Sequence, residues 1–337
     1  MTTDEQKPKK PKLDVNQHLS SSNKIIDSQP VIIPLSPGLD MITGGIPEGS
    51  FFILTGKFKT GKTATALDFA GTAQDIEYAC NLGRKEGRHV YYANIEGRLK
   101  KRDLEGIHHL NLDPTRFSII QSTPGNILTA EEYIAIVEQL IHTKPGDIFI
   151  IDSFSALCTE GEMKADIGDR YRADAPMLLA RFCRRICNVT PINKCVVIGI
   201  THVIANQGQG YTQWMEASGQ KIQYQADVKL RATHFTPWKV GENQIGQDIH
   251  WECPTSALNC PPGGKFTSKF RYGYGIDKET ELINVCTDLG ILPKGGAGWY
   301  TLPSGEKCQG TEKVRAYLLE NPEVYNSLYS QLRKILV

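Results

Sequence analysis

Residues 50–63 read Ser-Phe-Phe-Ile-Leu-Thr-Gly-Lys-Phe-Lys-Thr-Gly-Lys-Thr. The first six form a short apolar run, which is typical of a buried strand. The last eight match Gly-x-x-x-x-Gly-Lys-Ser/Thr, and a helical spacing of Ala, Leu and Phe follows over 63–79. A strand, a glycine-rich loop and a helix in this order are the signature of a phosphate-binding loop. This stretch therefore predicts a nucleotide-binding α/β fold.

The residue types in the loop fit this chemistry. Glycines let the backbone curl so that its N–H groups face the phosphates, and the following helix N-terminus favours anions. We expect Lys62 to reach the β- and γ-phosphates of ATP as a catalytic residue, and Thr63 to hold Mg²⁺. The predicted nucleotide-binding loop comprises Gly56, Lys57, Phe58, Lys59, Thr60, Gly61, Lys62 and Thr63. The alternative is a glycine-rich turn with a surface lysine, and the strand–loop–helix context argues against it.

Two further apolar runs end in acids. Asp152 closes the run 148–152, and the carboxyl edge of a parallel sheet would bring it beside the phosphate loop. We expect Asp152 to bind the nucleotide site through Mg²⁺, together with Thr63. Glu96 follows the run 90–95, where a carboxylate can polarise the water that attacks the γ-phosphate. From the residues themselves, a catalytic Glu96 and a solvated strand-end carboxylate are equal alternatives.

The rest of the chain suggests three regions. Buried strands are predicted at 89–94, 147–152 and 194–201, and helices at 131–142 and 176–188. Such alternation is typical of a parallel sheet covered by helices. Residues 203–220 are rich in Gly, Gln and Asn and are predicted to form a loop. The predicted regions are a flexible arm at 1–30, an ATPase core at 31–275, and a small C-terminal domain at 276–337 with helices at 312–320 and 324–336.

Composition limits the function classes. Hydrophobic residues make up 40% and charged residues 22%, which is typical of a globular protein. No apolar run is long enough for a membrane span and the N-terminus lacks the apolar core of a secretory signal, so we expect a cytoplasmic protein with no membrane partner. Nine cysteines form no Cys-x-x-Cys pair, which gives no zinc signature. A net charge of +1 means that any DNA site must be local.

With these residues in place, the chain resembles the RecA family of recombinases, including its phage-type relatives. The resemblance runs from about residue 35 to the C-terminus. The segments that carry it are 35–40, 44–49, 152–157, 272–277, 281–283, 298–300, 305–310 and 320–323. The C-terminal segments resemble RecA and not helicase-type or clock-type ATPases, so they discriminate more strongly than the phosphate loop does.

The resemblance implies an α/β, RecA-like P-loop ATPase core with a mostly parallel sheet, plus a small C-terminal α/β domain. It implies a DNA-dependent ATPase that uses ATP and Mg²⁺, forms helical filaments on single-stranded DNA, and promotes pairing and strand exchange with double-stranded DNA in recombination and repair. Single-strand-binding or loader proteins are further implied partners. Two alternatives remain, a ring-forming helicase-type motor and a weakly hydrolysing recombination mediator.

The resemblance also assigns residues. It makes Glu96 the catalytic base and places His202 and Tyr272 at the nucleotide. It implies DNA loops at about 160–172 and 203–217. The DNA-binding residues are then Arg172, Arg184, Arg185, Tyr211, Trp214 and Lys221. Tyr211 and Trp214 would stack on bases, with packing of a loop hinge as the alternative. Arg184 and Arg185 would face DNA or a neighbouring subunit, with an ordinary solvated helix face as the alternative. Lys221 falls where the family presents a residue to a neighbour's nucleotide.

The sequence departs from the family at three places. Thr201 and His202 replace an Asn-Gln pair, and His202 can still hydrogen-bond a phosphate and add a pH dependence. Lys100 and Asp103 do not reproduce the acid and aromatic residue found near adenine. Paired lysines that act on the neighbour's nucleotide are not evident around 255–265.

Overall fold

A ten-stranded sheet forms the centre of the protein in this computed structural model, which describes residues 30–76, 87–166, 174–205, 214–216, 220–256 and 262–336. The strands are β1 (Ile32–Ile33), β2 (Ile46–Pro47), β3 (Phe51–Gly56), β4 (Val90–Asn94), β5 (Phe117–Ile120), β6 (Ile148–Asp152), β7 (Val196–Ala205), β8 (Trp214–Glu216), β9 (Val228–Val240), β10 (Asn243–Ser256), β11 (Gly264–Arg271), β12 (Gly275–Ile276), β13 (Trp299–Thr301) and β14 (Lys307–Gln309). The helices are α1 (Pro37–Thr43), α2 (Lys62–Gln74), α3 (Lys101–Glu105), α4 (Ala130–Thr143), α5 (Glu160–Lys164), α6 (Ala175–Ile186), α7 (Val189–Asn193), α8 (Lys278–Asp288), α9 (Thr311–Glu320) and α10 (Pro322–Leu336).

The strand order is β12-β11-β10-β9-β3-β7-β6-β4-β5, with β8 paired to β7. Pairing is parallel from β9 through β5 and antiparallel from β9 through β12. Parallel neighbours need crossover connections, which the helices supply. The predicted α/β class with a mostly parallel sheet is confirmed.

Helices cover both faces of the parallel strands. Every residue of β3 and of β6 is buried, as a strand covered on both faces requires. Successive side chains of β3 enter different cores: Phe52 packs in an apolar cluster with residues of α2, and Phe51 packs in a second cluster with residues of α4 and α6. Apolar side chains on both faces of β3 therefore favour its place at the centre of the sheet.

The C-terminal residues have an apolar cluster of their own. It is formed by α8, α9, α10 and the β13–β14 hairpin around Leu282, Tyr300 and Leu318. Two buried acids join this cluster to α1. Glu281 Oε2 accepts a bond from Gly38 N at 3.1 Å, and Tyr329 donates its hydroxyl to Asp40. The C-terminal residues are thus fixed to the entry of the core by polar contacts as well as apolar ones.

Two sequence predictions need correction. The helix expected over 63–79 ends at Gln74, where the next two amides bond three residues back and tighten the last turn; residues 77–79 lie outside the described chain. The loop expected over 203–220 begins as a strand. β7 pairs with β3 up to His202, opposite Gly56, and then pairs with β8 from Val203. The β-branched Val203 and Ile204 favour strand, and the residues of loop-like composition, 206–213, lie outside the described residues.

Candidate nucleotide-binding site

The predicted phosphate loop connects β3 to α2. Gly61 has a φ of +79°, and a Cβ added there would lie 2.4 Å from Ile249 Cδ1. A Cβ added to Gly56 would lie 2.5 Å from the carbonyl oxygen of Ala232. Both positions therefore require glycine, because β9 and β10 pack directly against the loop.

Lys62 lies at the first position of α2 and is 4% exposed. Its ammonium group donates to the carbonyl oxygens of Gly56 at 3.1 Å and Lys57 at 2.5 Å. Burial lowers the pKa of Lys62 to about 8, against the opposing effect of the carboxylates of Asp152 and Glu96. Within the described chain no carboxylate lies within ion-pair distance of this amine. The loop therefore holds a buried cation whose natural counterion would be an anionic ligand, and a nucleotide phosphate fits that description.

Asp152 and Thr63 meet beside this lysine. Thr63 Oγ1 and the hydroxyl of Tyr92 both donate to Asp152 Oδ2 at 2.6 Å. Burial raises the pKa of Asp152, and the two hydrogen bonds oppose that rise. A hydroxyl and a carboxylate oxygen are the ligand types that Mg²⁺ prefers, with phosphate oxygens and water completing its shell. The structure thus brings the two predicted magnesium residues together.

Glu96 lies at the same edge of the sheet, after β4. Its Oε1 accepts a bond from Ser153 Oγ at 2.8 Å and lies 2.7 Å from Nε2 of His202. The His202 contact is the main reason that the pKa of Glu96 falls to about 2, and burial opposes the fall. Oε1 receives both contacts, which leaves Oε2 as the oxygen that can accept a proton. The predicted base is thus an ionised carboxylate beside the phosphate loop.

His202 is fixed by its backbone as well. Its N–H donates to Ser155 Oγ at 2.8 Å. Nδ1 of the ring is buried and has no hydrogen-bond partner in the part of the chain that the structure describes. His202 thus contacts the predicted base through Nε2, while its Nδ1 is buried.

These groups share one cleft of about 1260 Å³, which is large enough for a nucleotide. Beyond the phosphate end, its wall includes Arg98, Leu99, Arg102, Asp103, Gln247, Phe270 and Tyr272. Tyr272 is half exposed and its hydroxyl accepts a bond from Gln244 at 2.8 Å. Phe58, in the phosphate loop, is 72% exposed. Besides the acids at the phosphate loop, the cleft therefore has a part lined by Phe270 and Tyr272, which we call the aromatic end, and charged side chains also contribute to its wall.

Of the predicted DNA-binding residues, the structure describes the side chains of Arg184 and Arg185. Arg184 and Arg185 occupy the last turn of α6, and Arg185 Nε lies 2.5 Å from Glu138 Oε1 of α4. Trp214 is in β8 and Lys221 is in a short 3₁₀ helix, Gln220–Gln225, but their side chains lie outside the described part. Arg172 and Tyr211 lie outside it entirely. Residues Glu160–Lys164 of the first predicted loop form α5.

Sequence reasoning missed several residues of the site, among them Ser153, Tyr92 and Gln247. Ser153 adjoins Asp152 in the chain, and that adjacency was the available signal. Tyr92 is a polar ring in an apolar strand, a weaker signal. Gln247 comes from β10, whose place in the fold no local pattern indicated.

Among the residues the structure describes, no group of three or more His, Cys, Asp or Glu side chains could hold a metal by itself. No helix in these same residues is long and apolar enough to cross a membrane.

Comparison with known proteins gives consistent matches. The family model for the RecA N-terminal domain matches residues 31–277, and that for the RecA C-terminal domain matches residues 280–336. Protein RecA of Desulforapulum autotrophicum is 26% identical over 314 residues, which covers 92% of this chain and 85% of that protein. Protein RecA of Nitratiruptor is 27% identical over 303 residues, covering 89% and 82% respectively. Protein RecA of Geobacter sulfurreducens is 26% identical over 304 residues, covering 87% and 81%.

Proposed function

The chain belongs to the RecA family, and we propose that it is a DNA-dependent ATPase that forms helical filaments on single-stranded DNA and promotes homologous pairing and strand exchange. One observation carries the proposal: Lys62, the Thr63–Asp152 pair and the Glu96–His202 pair meet in one cleft. Single-stranded and double-stranded DNA, other copies of the chain, and single-strand-binding or loader proteins are the proposed partners.

Each residue has a distinct role in hydrolysis. The ammonium of Lys62 stabilises negative charge on the β- and γ-phosphates. Thr63 Oγ1 and the carboxylate of Asp152 would hold Mg²⁺, which would supply positive charge to neutralise the phosphates. Ser153 and His202 orient the carboxylate of Glu96, so that Oε2 can accept a proton from a water at the γ-phosphate.

The proposed link to DNA is β7. His202 lies in this strand, and the pairing with β8 begins at the next residue, Val203. The predicted second DNA loop therefore begins directly after His202, which lines the nucleotide cleft, and the paired strands β7 and β8 flank its residues 206–213. We propose that contact between His202 and the γ-phosphate orders this loop for DNA, which makes ATP and DNA binding mutually favourable.

The test is electron microscopy of the full chain with ATP and single-stranded DNA. Open helical filaments are expected for the wild type and should be absent for Lys62→Ala. Lys307→Ala removes a charge from the β13–β14 hairpin and is the matched control. Closed rings would instead indicate a helicase-type motor, and neither assembly would indicate a mediator.

A weakly hydrolysing mediator is the second candidate, and Lys269 favours it. This lysine is near the place where the family carries lysines that act on the neighbour's nucleotide. Its Nζ lies 3.0 Å from Asp248 Oδ1 and 4.6 Å from the centre of the Trp238 ring, so it is engaged within its own subunit. Steady-state ATP turnover with and without DNA decides between the two, because strong DNA stimulation contradicts the mediator.

A further inference from the structure

Gln247 in β10 is a largely buried polar residue in the wall of the nucleotide cleft. It is 8% exposed. Across the described ranges of the chain, no residue hydrogen-bonds its carboxamide, and neither polar atom of that amide is among the fully buried ones without a partner. The amide is therefore open to the cleft, where a ligand can replace water as its hydrogen-bond partner.

The strand pairing places this amide between the phosphate loop and the aromatic end of the cleft. A Cβ added to Gly61 would lie 3.2 Å from Nε2 of Gln247, so the amide lies against the end of the loop. In the ladder, Gln247 is opposite Phe270 of β11. The amide of Tyr272 donates to the carbonyl of Ile245 at 3.0 Å, which keeps that ring close to the same part of β10. Gln247 therefore faces the part of the cleft next to the phosphates, where the nucleoside of a bound nucleotide would lie.

A carboxamide has the chemistry to read adenine. It offers a donor and an acceptor side by side, and adenine presents a donor at N6 beside an acceptor at N7. Guanine presents two acceptors, O6 and N7, at the corresponding edge, which does not match an amide. The half-exposed ring of Tyr272 adds a flat surface on which a base can stack.

Asp103 also lines the cleft, but it is engaged in its own helix. Its Oδ2 accepts a bond from the backbone N–H of Lys100 at 2.9 Å, and Arg102 Nε lies 3.8 Å from its Oδ1. This carboxylate caps α3, whereas the Gln247 amide bonds to none of the described residues. The base-reading role thus falls to the amide of β10.

We propose that Gln247 determines nucleotide specificity by hydrogen-bonding the adenine of the bound nucleotide. This inference rests on the proposed ATPase function. It would give the cleft a base-reading group in a chain where Lys100 and Asp103 do not reproduce the family's acid and aromatic residue.

The test measures equilibrium binding of three magnesium complexes to the full chain: ATP, GTP and inorganic tripolyphosphate, which has no base. For Gln247→Ala, we expect ATP affinity to fall about tenfold, as loss of roughly one hydrogen bond predicts. Tripolyphosphate affinity should stay within about twofold, and the preference for ATP over GTP should narrow. Gln139→Ala, on the exposed surface of α4, is the matched control.

Gln247→Glu gives a readout that a purely structural role would not change. A carboxylate only accepts hydrogen bonds, so at the same edge it keeps the contact with N6 of adenine, loses the contact with N7, and repels both O6 and N7 of guanine. We expect ATP affinity to fall and GTP affinity to fall further, so that the preference for ATP widens where Gln247→Ala narrows it. Equal loss of affinity for all three complexes would overturn the proposal, and so would unchanged ATP and GTP affinities in both variants. A wild-type chain that binds none of the three would instead refute the ATPase function itself.

Discussion

Replacement of Glu96 by Gln tests the proposed base most directly. The amide oxygen of Gln can keep both contacts that Glu96 Oε1 makes, with Ser153 Oγ at 2.8 Å and His202 Nε2 at 2.7 Å. The substitution therefore removes the negative charge and the proton acceptor while it conserves the shape of the site.

The structure sets the expected size of the effect. The pKa of Glu96 is lowered to about 2, so at pH 7 the carboxylate is ionised in essentially every molecule and the substitution removes all of the base. Loss of a general base costs about a hundredfold to ten-thousandfold in rate, and a hundredfold corresponds to roughly 2.7 kcal/mol of activation free energy. Nucleotide affinity should change by less than about threefold, which corresponds to less than about 1 kcal/mol of binding free energy. Since the pKa lies so low, the wild type should show no loss of turnover from Glu96 protonation between pH 5 and 7.

Single-turnover hydrolysis with single-stranded DNA measures the chemical rate, and titration with a fluorescent ATP analogue measures binding. Glu323→Gln, at the exposed start of α10, controls for loss of one carboxylate. The reasoning is refuted if Glu96→Gln hydrolyses at the wild-type rate, or if it loses nucleotide binding while its bound nucleotide is cleaved normally.

Three further predictions concern other parts of the molecule. Lys62→Ala should abolish ATP hydrolysis, because within the described residues of the cleft no other ammonium is held inside the loop; near-normal turnover in a phosphate-release assay would contradict the assignment. Burial raises the pKa of Glu281 to about 7 from 4.5, so its stabilising effect is complete below about pH 4.5 and is lost as the pH rises through 7. Glu281→Gln can keep the bond from Gly38 N, so it should remove up to about 3 kcal/mol of the fall in unfolding free energy as the pH rises, measured by urea unfolding. If the unfolding free energy of the variant depends on pH as in the wild type, Glu281 is not a buried neutral acid. Replacing both Tyr211 and Trp214 by Ala should weaken the salt-dependent binding of single-stranded DNA and blunt DNA stimulation of hydrolysis, with DNA-free ATP binding intact; wild-type DNA affinity in a fluorescence anisotropy titration would show that this segment is not the DNA contact.

The phosphate end of the site could be predicted from the sequence because each of its residues is tied to a local pattern. The strand–loop–helix order positions Lys62 and Thr63, and an apolar strand that ends in an acid positions Asp152. Since parallel strands bring their carboxyl ends to one edge, these separate patterns converge in space. The contact between Glu96 and His202 follows from the same rule, but its 2.7 Å distance depends on side-chain geometry that no pattern encodes.

Apart from Tyr272, which the family resemblance places at the nucleotide, the aromatic end of the cleft could not be predicted in this way. Gln247 reaches the phosphate loop only because β9, β10 and β11 extend the sheet as long antiparallel strands in a fixed register. Residues on these strands mix polar and apolar types, with bulges in the β9–β10 pairing. Register across such a sheet is decided by pairing between distant segments, so the location of this amide is a property of the assembled fold.

The exchange of partners along β7 has a practical consequence for protein engineering. β7 pairs with β3 as far as His202, and its next residues, Val203 to Ala205, pair with β8. This pairing holds together the two strands that flank residues 206–213. A foreign peptide of different length could replace residues 206–213 without disturbing the pairing of β7 with β3. The reason is that the β7–β8 pairing sets where the chain leaves the sheet and where it returns. The junction is thus a graft point two residues from Val203 in the cleft wall, where the proposed coupling would make a transplanted recognition loop respond to ATP.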